Sequence, residues 1–495
     1  MSEQQSSYRS IFKATSIFGG VQVFNILITL IRSKAVALLI GTAGMGLNGL
    51  FMSSLNFIKT ISSLGISESA VRDISKAHVS GDSNHIARTF TVFRRWIWIT
   101  AGIGILITVL FSSLLSKFSF GSTEYTTSYI WLSMTFIFGA LSGGVYALLR
   151  GTRQIKYLAQ ANIFGGIVGL IVALPIFYFF GIKGVVPAII ATAFGNYLVS
   201  LYFRSKLKFD KITISWPETI TLGKPMVKLG LSLTFINLMT TAIAFILSAF
   251  ISKTGTLSDL GIYNAGQAIV EGYVGMVFTA MSIDYFPRLS GVIDNDKGWK
   301  KLVNEQAELI LIILSIVLVL LISTTPFLIR ILLSKEFLMA KEFIFWSVLA
   351  IPLKGLVWVT GFVLLAKGDT KLFLIVEIVT NLILLGLNLF FYKFYGINGL
   401  GISMLVSYFI FIIIMIAVLK SKYDFDFSKD VISLLMIALT SLSLCLISIK
   451  WLGYPNAYYA EVIIVLLTIS YSLHELNKRV NLKGIVLYIK TKLKG

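Results

Sequence analysis

A chain of 495 residues that is 56% hydrophobic and 13% charged, with a mean hydropathy of +0.85, is too apolar to fold in water, since soluble domains carry about 25% charged residues. Cys445 is the sole cysteine, which excludes intramolecular disulfides and a cysteine metal cluster, and His78, His85 and His474 fall in hydrophilic stretches or at a helix end rather than in a ligand set. A net charge of +20 would suggest nucleic acid in a soluble chain, but here the cations stand between apolar runs and mark membrane topology.

The polar start, Met1 to Ser10, lacks the pattern of a signal peptide, and no anchor or lipidation motif follows it. About fourteen apolar runs come next, each near the roughly 20 residues a spanning helix needs: 12–38, 44–66, 90–115, 127–149, 157–180, 184–203, 226–251, 261–286, 306–331, 342–366, 371–394, 398–419, 430–450 and 457–474. With the N-terminus inside, the cytoplasmic segments hold roughly 31 of the 43 Lys and Arg. Arg72, Lys76, Arg88, Arg94 and Arg95 precede the third span, Arg150, Arg153 and Lys156 follow the fourth, and Arg204, Lys206, Lys208 and Lys211 follow the sixth. These loops fix topology and touch anionic lipid heads. The tail 476–495 is expected to lie along the cytoplasmic interface as a basic amphipathic helix.

In the first run Gln22, Asn25, Thr29 and Arg32 share one helical face, and in the second Asn56, Lys59, Thr60 and Ser63 do the same. Lys34 follows Arg32 closely. The run Gly44-Met45-Gly46-Leu47-Asn48-Gly49 fits GxGxxG in form, but it joins membrane helices rather than a strand and a helix, so a tight turn and close packing are expected there instead of a dinucleotide. Thr234, Asn237 and Thr241 line one face of the seventh run, and Asn264, Gln267 and Glu271 one face of the eighth. Such residues can bond between packed helices. Four polar stripes at equivalent places argue for a shared aqueous cavity. Asp284 has Arg288 one turn on and reads as a structural pair. Lys354 in the tenth run shares a face with Trp358, and Glu377 in the eleventh shares one with Asn381; Lys354 and Glu377 could also pair with each other.

Local patterns recur about 215 residues apart: Gly41-Thr42 with Gly255-Thr256, Arg150-Gly151-Thr152 with Lys367-Gly368-Asp369, Gly181-Ile182-Lys183-Gly184 with Gly396-Ile397-Asn398-Gly399, and Arg204-Ser205-Lys206 with Lys420-Ser421-Lys422. An acid followed four residues later by Arg also closes both the second and eighth runs, as Glu68/Arg72 and Asp284/Arg288. The implied unit has six spans, an even number, so both copies face the same way, as in parallel-repeat transporters. The organisation expected is a six-helix bundle over 1–210, its repeat over 211–425, two added transmembrane helices over 426–475, and the basic cytoplasmic tail. The deep cations Arg32, Lys34, Lys59 and Lys354 outnumber the acids Glu271 and Glu377, a bias that suits an anionic substrate and not a cationic drug.

In the first hairpin, Lys34-Ala35-Val36-Ala37 precedes Gly41-Thr42-Ala43-Gly44-Met45-Gly46-Leu47. In the second half, Gly261-Ile262-Tyr263 opens a span that carries Glu271 and Tyr273 and closes in Tyr285-Phe286-Pro287-Arg288-Leu289-Ser290. Leu332-Leu333-Ser334-Lys335-Glu336-Phe337 then leads through Phe345-Trp346, Lys354 and Ala366-Lys367 to Glu377. In this order the motifs resemble the polysaccharide flippases of the multidrug/oligosaccharidyl-lipid/polysaccharide exporter superfamily, of the Wzx O-antigen translocase type, over the first twelve spans. The resemblance implies an all-α polytopic protein of about fourteen transmembrane helices, with two parallel six-helix repeats forming a V plus two C-terminal helices. It also implies residence in the bacterial cytoplasmic membrane and an undecaprenyl-pyrophosphate-linked oligosaccharide as substrate. Arg32, Lys34, Lys59 and Lys354 would then draw the pyrophosphate, and Gln22, Asn25, Asn56, Asn237, Asn264 and Gln267 would bond sugar hydroxyls. No cofactor is expected beyond a coupling proton or sodium ion, for which Glu271 and Glu377 are candidates. Family members often carry Gly-Asp ahead of the tenth-span lysine, where this chain has Ala350-Ile351, leaving no acid at 351 for an ion step. The expected partners are the lipid-linked oligosaccharide, anionic lipids of the cytoplasmic leaflet and other membrane proteins of polysaccharide assembly.

Two other classes stand beside this one. A cation-coupled drug exporter of the same superfamily should show the opposite charge bias. A membrane polymerase or glycosyltransferase needs positioned acids or bases, yet the longest external loop, near 116–127, offers Glu124 alone. No GxxxxGK[ST] loop is present to hydrolyse ATP, and a channel would need no duplicated halves.

Overall fold

In lipid a chain must satisfy its own backbone hydrogen bonds, which apolar runs of this length do as helices. The computed structural model describes residues 3–79, 83–207 and 212–480, without side chains at 3–27, 83, 232–233, 236, 283 and 480. In chain order the helices are α1 (Glu3–Ser62), α2 (Ile66–Val79), α3 (Ser83–Leu110), α4 (Ser112–Phe120), α5 (Thr126–Leu132), α6 (Met134–Gly151), α7 (Ile155–Phe180), α8 (Val185–Ser205), α9 (Trp216–Thr254), α10 (Leu257–Val292), α11 (Asp296–Leu332), α12 (Ala340–Ala366), α13 (Thr370–Tyr423), α14 (Lys429–Leu452) and α15 (Ala457–Val480). No strand occurs among the described residues. Of the basic tail, residues 481–495 lie outside the described residues.

Ten described segments are long and apolar enough to cross a membrane. Two of these, 155–205 and 370–423, are hairpins with two crossings each, and a third, 28–62, is broken at Gly41. α10 falls short of that apolarity because it carries Asn264, Gln267 and Glu271. The protein is thus an all-α polytopic membrane protein with about fourteen spans. Helix starts follow local chemistry: the Ser215 hydroxyl accepts from the Glu218 amide at 3.3 Å, and the Ser428 hydroxyl from Val431 at 3.2 Å, each satisfying an end-of-helix donor.

Contacts divide the chain into two compact units, one of residues 1–261 with 332–334 and one of 262–331 with 335–495. α9, first helix of the second sequence copy, therefore packs within the first unit. The glycine run at 44–49 makes no turn. Helix α1 breaks at Gly41 (φ 62°, ψ −167°) and is regular through 42–62, a correction that follows from geometry, because only glycine tolerates that backbone region. The second half of the expectation holds, since Gly46 meets the Leu257 carbonyl and Gly261 so closely that neither glycine leaves room for a Cβ. Small residues at such crossings are what lets membrane helices pack.

The duplication is written in the backbone. The amides of Thr152, Arg153, Gln154 and Ile155 donate to the carbonyls of Leu148, Arg150, Leu149 and Arg153. Those of Lys367, Gly368, Asp369 and Thr370 donate to Val363, Leu365, Leu364 and Gly368, the same ladder shifted by 215 residues (152 to 367). At that shift Gly368 stands opposite Arg153, so the pairing of Gly368 with Gly151 read from the sequence is two residues out of register. The next turns match as well: Gly181 has φ 55°, ψ −134° and Gly396 has φ 56°, ψ −140°. Across the second hairpin the Ser403 hydroxyl donates to the Asn388 side-chain oxygen, where the first copy has the buried pair Ala188 and Ala173.

The paired acids and bases differ between the copies. Arg288 bridges Asp284 at 2.8 Å, as the spacing predicts, whereas Glu68 pairs with Arg150 at 3.2 Å and Arg72 with its neighbour Asp73. In the second unit the end of α15 is clamped: Arg479 bonds Glu308 of α11 at 2.6 Å and also Glu475, and Lys478 bonds Glu475 at 2.7 Å. The three groups of the Arg479 cluster are 22%, 14% and 11% exposed, enough burial that removing the cation should cost on the order of 3 kcal/mol. Arg479→Ala is accordingly expected to lower the thermal midpoint of the detergent-purified protein, with Arg479→Lys recovering part of the loss. An unchanged midpoint would show the clamp to be energetically idle.

Candidate functional site

In the first unit the polar stripe of α1 is sorted by its own helix. Leu55, Ile58 and Ser62 are buried, while Asn56 and Lys59 are exposed on the opposite side. The Thr60 hydroxyl donates to the Asn56 carbonyl at 2.9 Å and that of Ser63 to the Thr60 carbonyl at 3.3 Å. On α9 the Thr234 hydroxyl likewise donates to Gly230 and that of Thr241 to Asn237. These hydroxyls serve the backbone, which leaves Asn56, Lys59 and the exposed Asn237 as the groups with free capacity for a ligand.

Depth along the helix separates the cations. Lys59 sits in the last turn before Ser62, roughly 27 Å beyond Gly41 at 1.5 Å per residue, nearly the full 30 Å or so of hydrocarbon. It is a cation of the span end and not of mid-membrane. Arg32, nine residues before Gly41, lies about 14 Å from the break, near half that thickness. Arg32 is exposed, and neither it nor Lys59 has an acceptor or carboxylate partner among the described residues. Lys34 differs, because its ammonium donates to the carbonyl of Leu333, which packs with this unit. The side chains of Gln22 and Asn25 lie outside the described residues.

In the second unit Lys354 occupies the middle of α12. Its ammonium stands 5.9 Å from the Phe278 ring centre and 5.8 Å from that of Tyr408, within cation–π range. Trp358, one turn along, packs on Phe278 at 5.3 Å. Glu377 does not pair with Lys354: the Asn381 amide donates to its carboxylate at 3.2 Å and to its carbonyl at 2.8 Å. Levels explain this, since Lys354 is 12 residues before the end of α12 and Glu377 seven after the start of α13, an offset of about 7.5 Å. Lys354 thus has rings but no counter-charge among the described residues. On α10 the Gln267 amide donates to Glu271 at 2.7 Å, with Asn264 half-buried a turn away. The aromatic enclosure of Lys354 by Phe278 and Tyr408 is not visible in sequence, because three separate helices supply it.

The first unit also holds a cleft of about 890 Å³ lined by α1, α5, α6, α8 and the 181–184 turn, including Phe51, Tyr125, Trp131, Phe194 and Lys183. None of the sequence-predicted site residues lines it.

Comparison with known proteins adds to this geometry. A family profile described as "Polysaccharide biosynthesis protein" matches residues 35–342. The Lipid III flippase of Escherichia coli (strain K12) is 20% identical over 361 residues, covering 70% of this chain and 83% of that protein, and the Shigella flexneri Lipid III flippase matches equally. Among solved structures, "Lipid II flippase MurJ, inward closed conformation" superposes with a TM-score of 0.64 at 13% identity, covering 94% of this chain and 99% of that one. An inward-facing multidrug resistance transporter of the MATE family in the MOP superfamily gives 0.66 at 14% identity, with 81% and 94% covered. At these identities the structures speak to the fold alone.

Proposed function

Because the chain belongs to the polysaccharide biosynthesis protein family, we propose that it is a flippase. It carries an undecaprenyl-pyrophosphate-linked oligosaccharide, an O-antigen or related surface polysaccharide unit, from the cytoplasmic to the outer leaflet by alternating access. The observation that carries this reading is the set of unpaired cations at membrane level: Arg32, Lys59 and Lys354 lack counter-charges among the described residues. A lone cation at mid-membrane, where Arg32 and Lys354 are placed, costs at least about 2.5–3.5 kcal/mol, and a passing diphosphate would offset that cost. Lys34 would join them, though it already serves the Leu333 carbonyl. Asn56, Asn237, Asn264 and Gln267, with Gln22 and Asn25, would bond the glycan, and Glu271 and Glu377 are the acids available to a coupling ion. Movement of an anion outward also follows an inside-negative potential. The protein would reside in the cytoplasmic membrane with both termini inside, as the excess of basic residues in alternate loops favours.

Deletion of the gene tests the reading. Completed lipid-linked units accumulating on the inner leaflet are the expected result. Unpolymerised units on the outer face would favour an assembly enzyme, and retention of toxic cations would favour a drug exporter.

A further inference from the structure

Glu461 lies four residues into α15, about 6 Å from the helix start, inside a segment apolar enough to span a membrane. Its side chain is not turned to lipid: the residue is 1% exposed. Neither carboxylate oxygen has a hydrogen-bond partner, and no Lys or Arg pairs with it among the described residues. The groups around it come from several elements of the second unit. Cys445 of α14 and Tyr454 of the turn before α15 lie within electrostatic range of it, and Ser323 of α11 stands beside the Cys445 thiol. Tyr454 lies within electrostatic reach of Tyr458 and of Glu342 on α12 as well. The hydroxyls of Ser323 and Tyr454 are themselves buried without partners. Glu461 thus sits in the interior of the second unit, near hydroxyls and a thiol, with no cation paired to it among the described residues.

An ionised carboxylate left unpaired in such a place costs several kcal/mol, and the usual escape is neutralisation. A sodium ion is the poorer occupant, because a hard cation wants a cage of oxygens and no side-chain hydroxyl stands within hydrogen-bond distance of the carboxylate among the described residues. A proton needs only one bond to a carboxylate oxygen and leaves a neutral acid, which an apolar interior holds without a counter-charge. We infer that Glu461 is a proton-binding site of the membrane interior, formed by the added helix pair and exchanging with the side of the membrane on which the α14–α15 turn lies. This carboxyl is distinct from Glu271 and Glu377, which already accept from Gln267 and Asn381. The inference does not depend on which lipid the protein carries.

Infrared difference spectroscopy on the full-length protein in lipid nanodiscs, titrated from acid to alkaline pH, reads the proton directly. The wild-type minus Glu461→Gln difference is expected to contain the carbonyl stretch of a protonated carboxylic acid, shifted in heavy water and lost at alkaline pH. A difference without that band at any pH overturns the inference. So does a carboxylate band that moves with sodium at fixed pH. Should Glu461→Gln fail to fold, Glu461→Asp decides: the acid band should move with the shorter side chain, and an unmoved band in the folded variant overturns the site. The transport assay is separate, so a failure here leaves the flippase reading standing.

Discussion

Lys354→Ala is expected to lower lipid flipping in proteoliposomes by roughly 30- to 100-fold and, at the same time, to make the protein more stable. The activity loss follows from removing a charge-assisted contact worth about 2–3 kcal/mol to a phosphate oxygen, at 1.4 kcal/mol per tenfold change. The stability gain follows from the setting of the ammonium, which faces the Phe278 and Tyr408 rings at 5.9 and 5.8 Å with no acid to match it among the described residues. Alanine gives up a cation–π contact of about 0.5–2 kcal/mol but removes an insertion cost of about 2.5–3.5 kcal/mol, so the thermal midpoint should rise. Opposite signs separate the two roles that a half-buried lysine can have. A variant that unfolds earlier would make Lys354 a structural residue, and one that flips normally would remove it from the site.

Arg32→Gln and Lys59→Gln should both impair transport by about 10- to 100-fold, on the same 1.5–3 kcal/mol scale, but they should respond differently to salt. Arg32 stands at mid-helix depth and Lys59 in the last turn of its span. Charges near the aqueous boundary are screened within about 8–10 Å at physiological ionic strength, and embedded ones much less. Raising salt in the transport assay should therefore erode the difference between wild type and Lys59→Gln and leave the Arg32→Gln deficit in place. Equal salt dependence in the two variants would put both cations at the same depth and contradict the assignment drawn from the Gly41 break.

The helices were the most legible part of the sequence, because apolar length and basic loops depend on composition that no tertiary contact has to supply. The capped starts at Ser215 and Ser428 are local in the same way. Gly41 against Gly44, Gly46 and Gly49 was harder. All four are glycines, and only the backbone tells which one takes the unusual dihedral and which serve close approach. The site was half legible. Periodicity places Asn56 and Lys59 on an open face, as found, but it cannot weigh whether Thr60 or Thr234 spends its hydroxyl on its own helix. Nor can it see that Phe278 and Tyr408 from other helices enclose Lys354. Glu461 had a readable signal, an acid within an apolar run, but its lack of a cation partner among the described residues is a tertiary fact.

The turns at 152–155 and 367–370 keep one hydrogen-bonding path while sharing almost no side chains, down to an arginine at φ 54° where the other copy has glycine at φ 76°. A left-handed arginine carries a penalty of about 1–2 kcal/mol that glycine escapes, so the two halves have drifted to unequal local strain around an identical main-chain trace. What inheritance preserved at this corner is a conformation and not a motif, and comparisons between distant relatives here should be anchored on dihedral angles before letters.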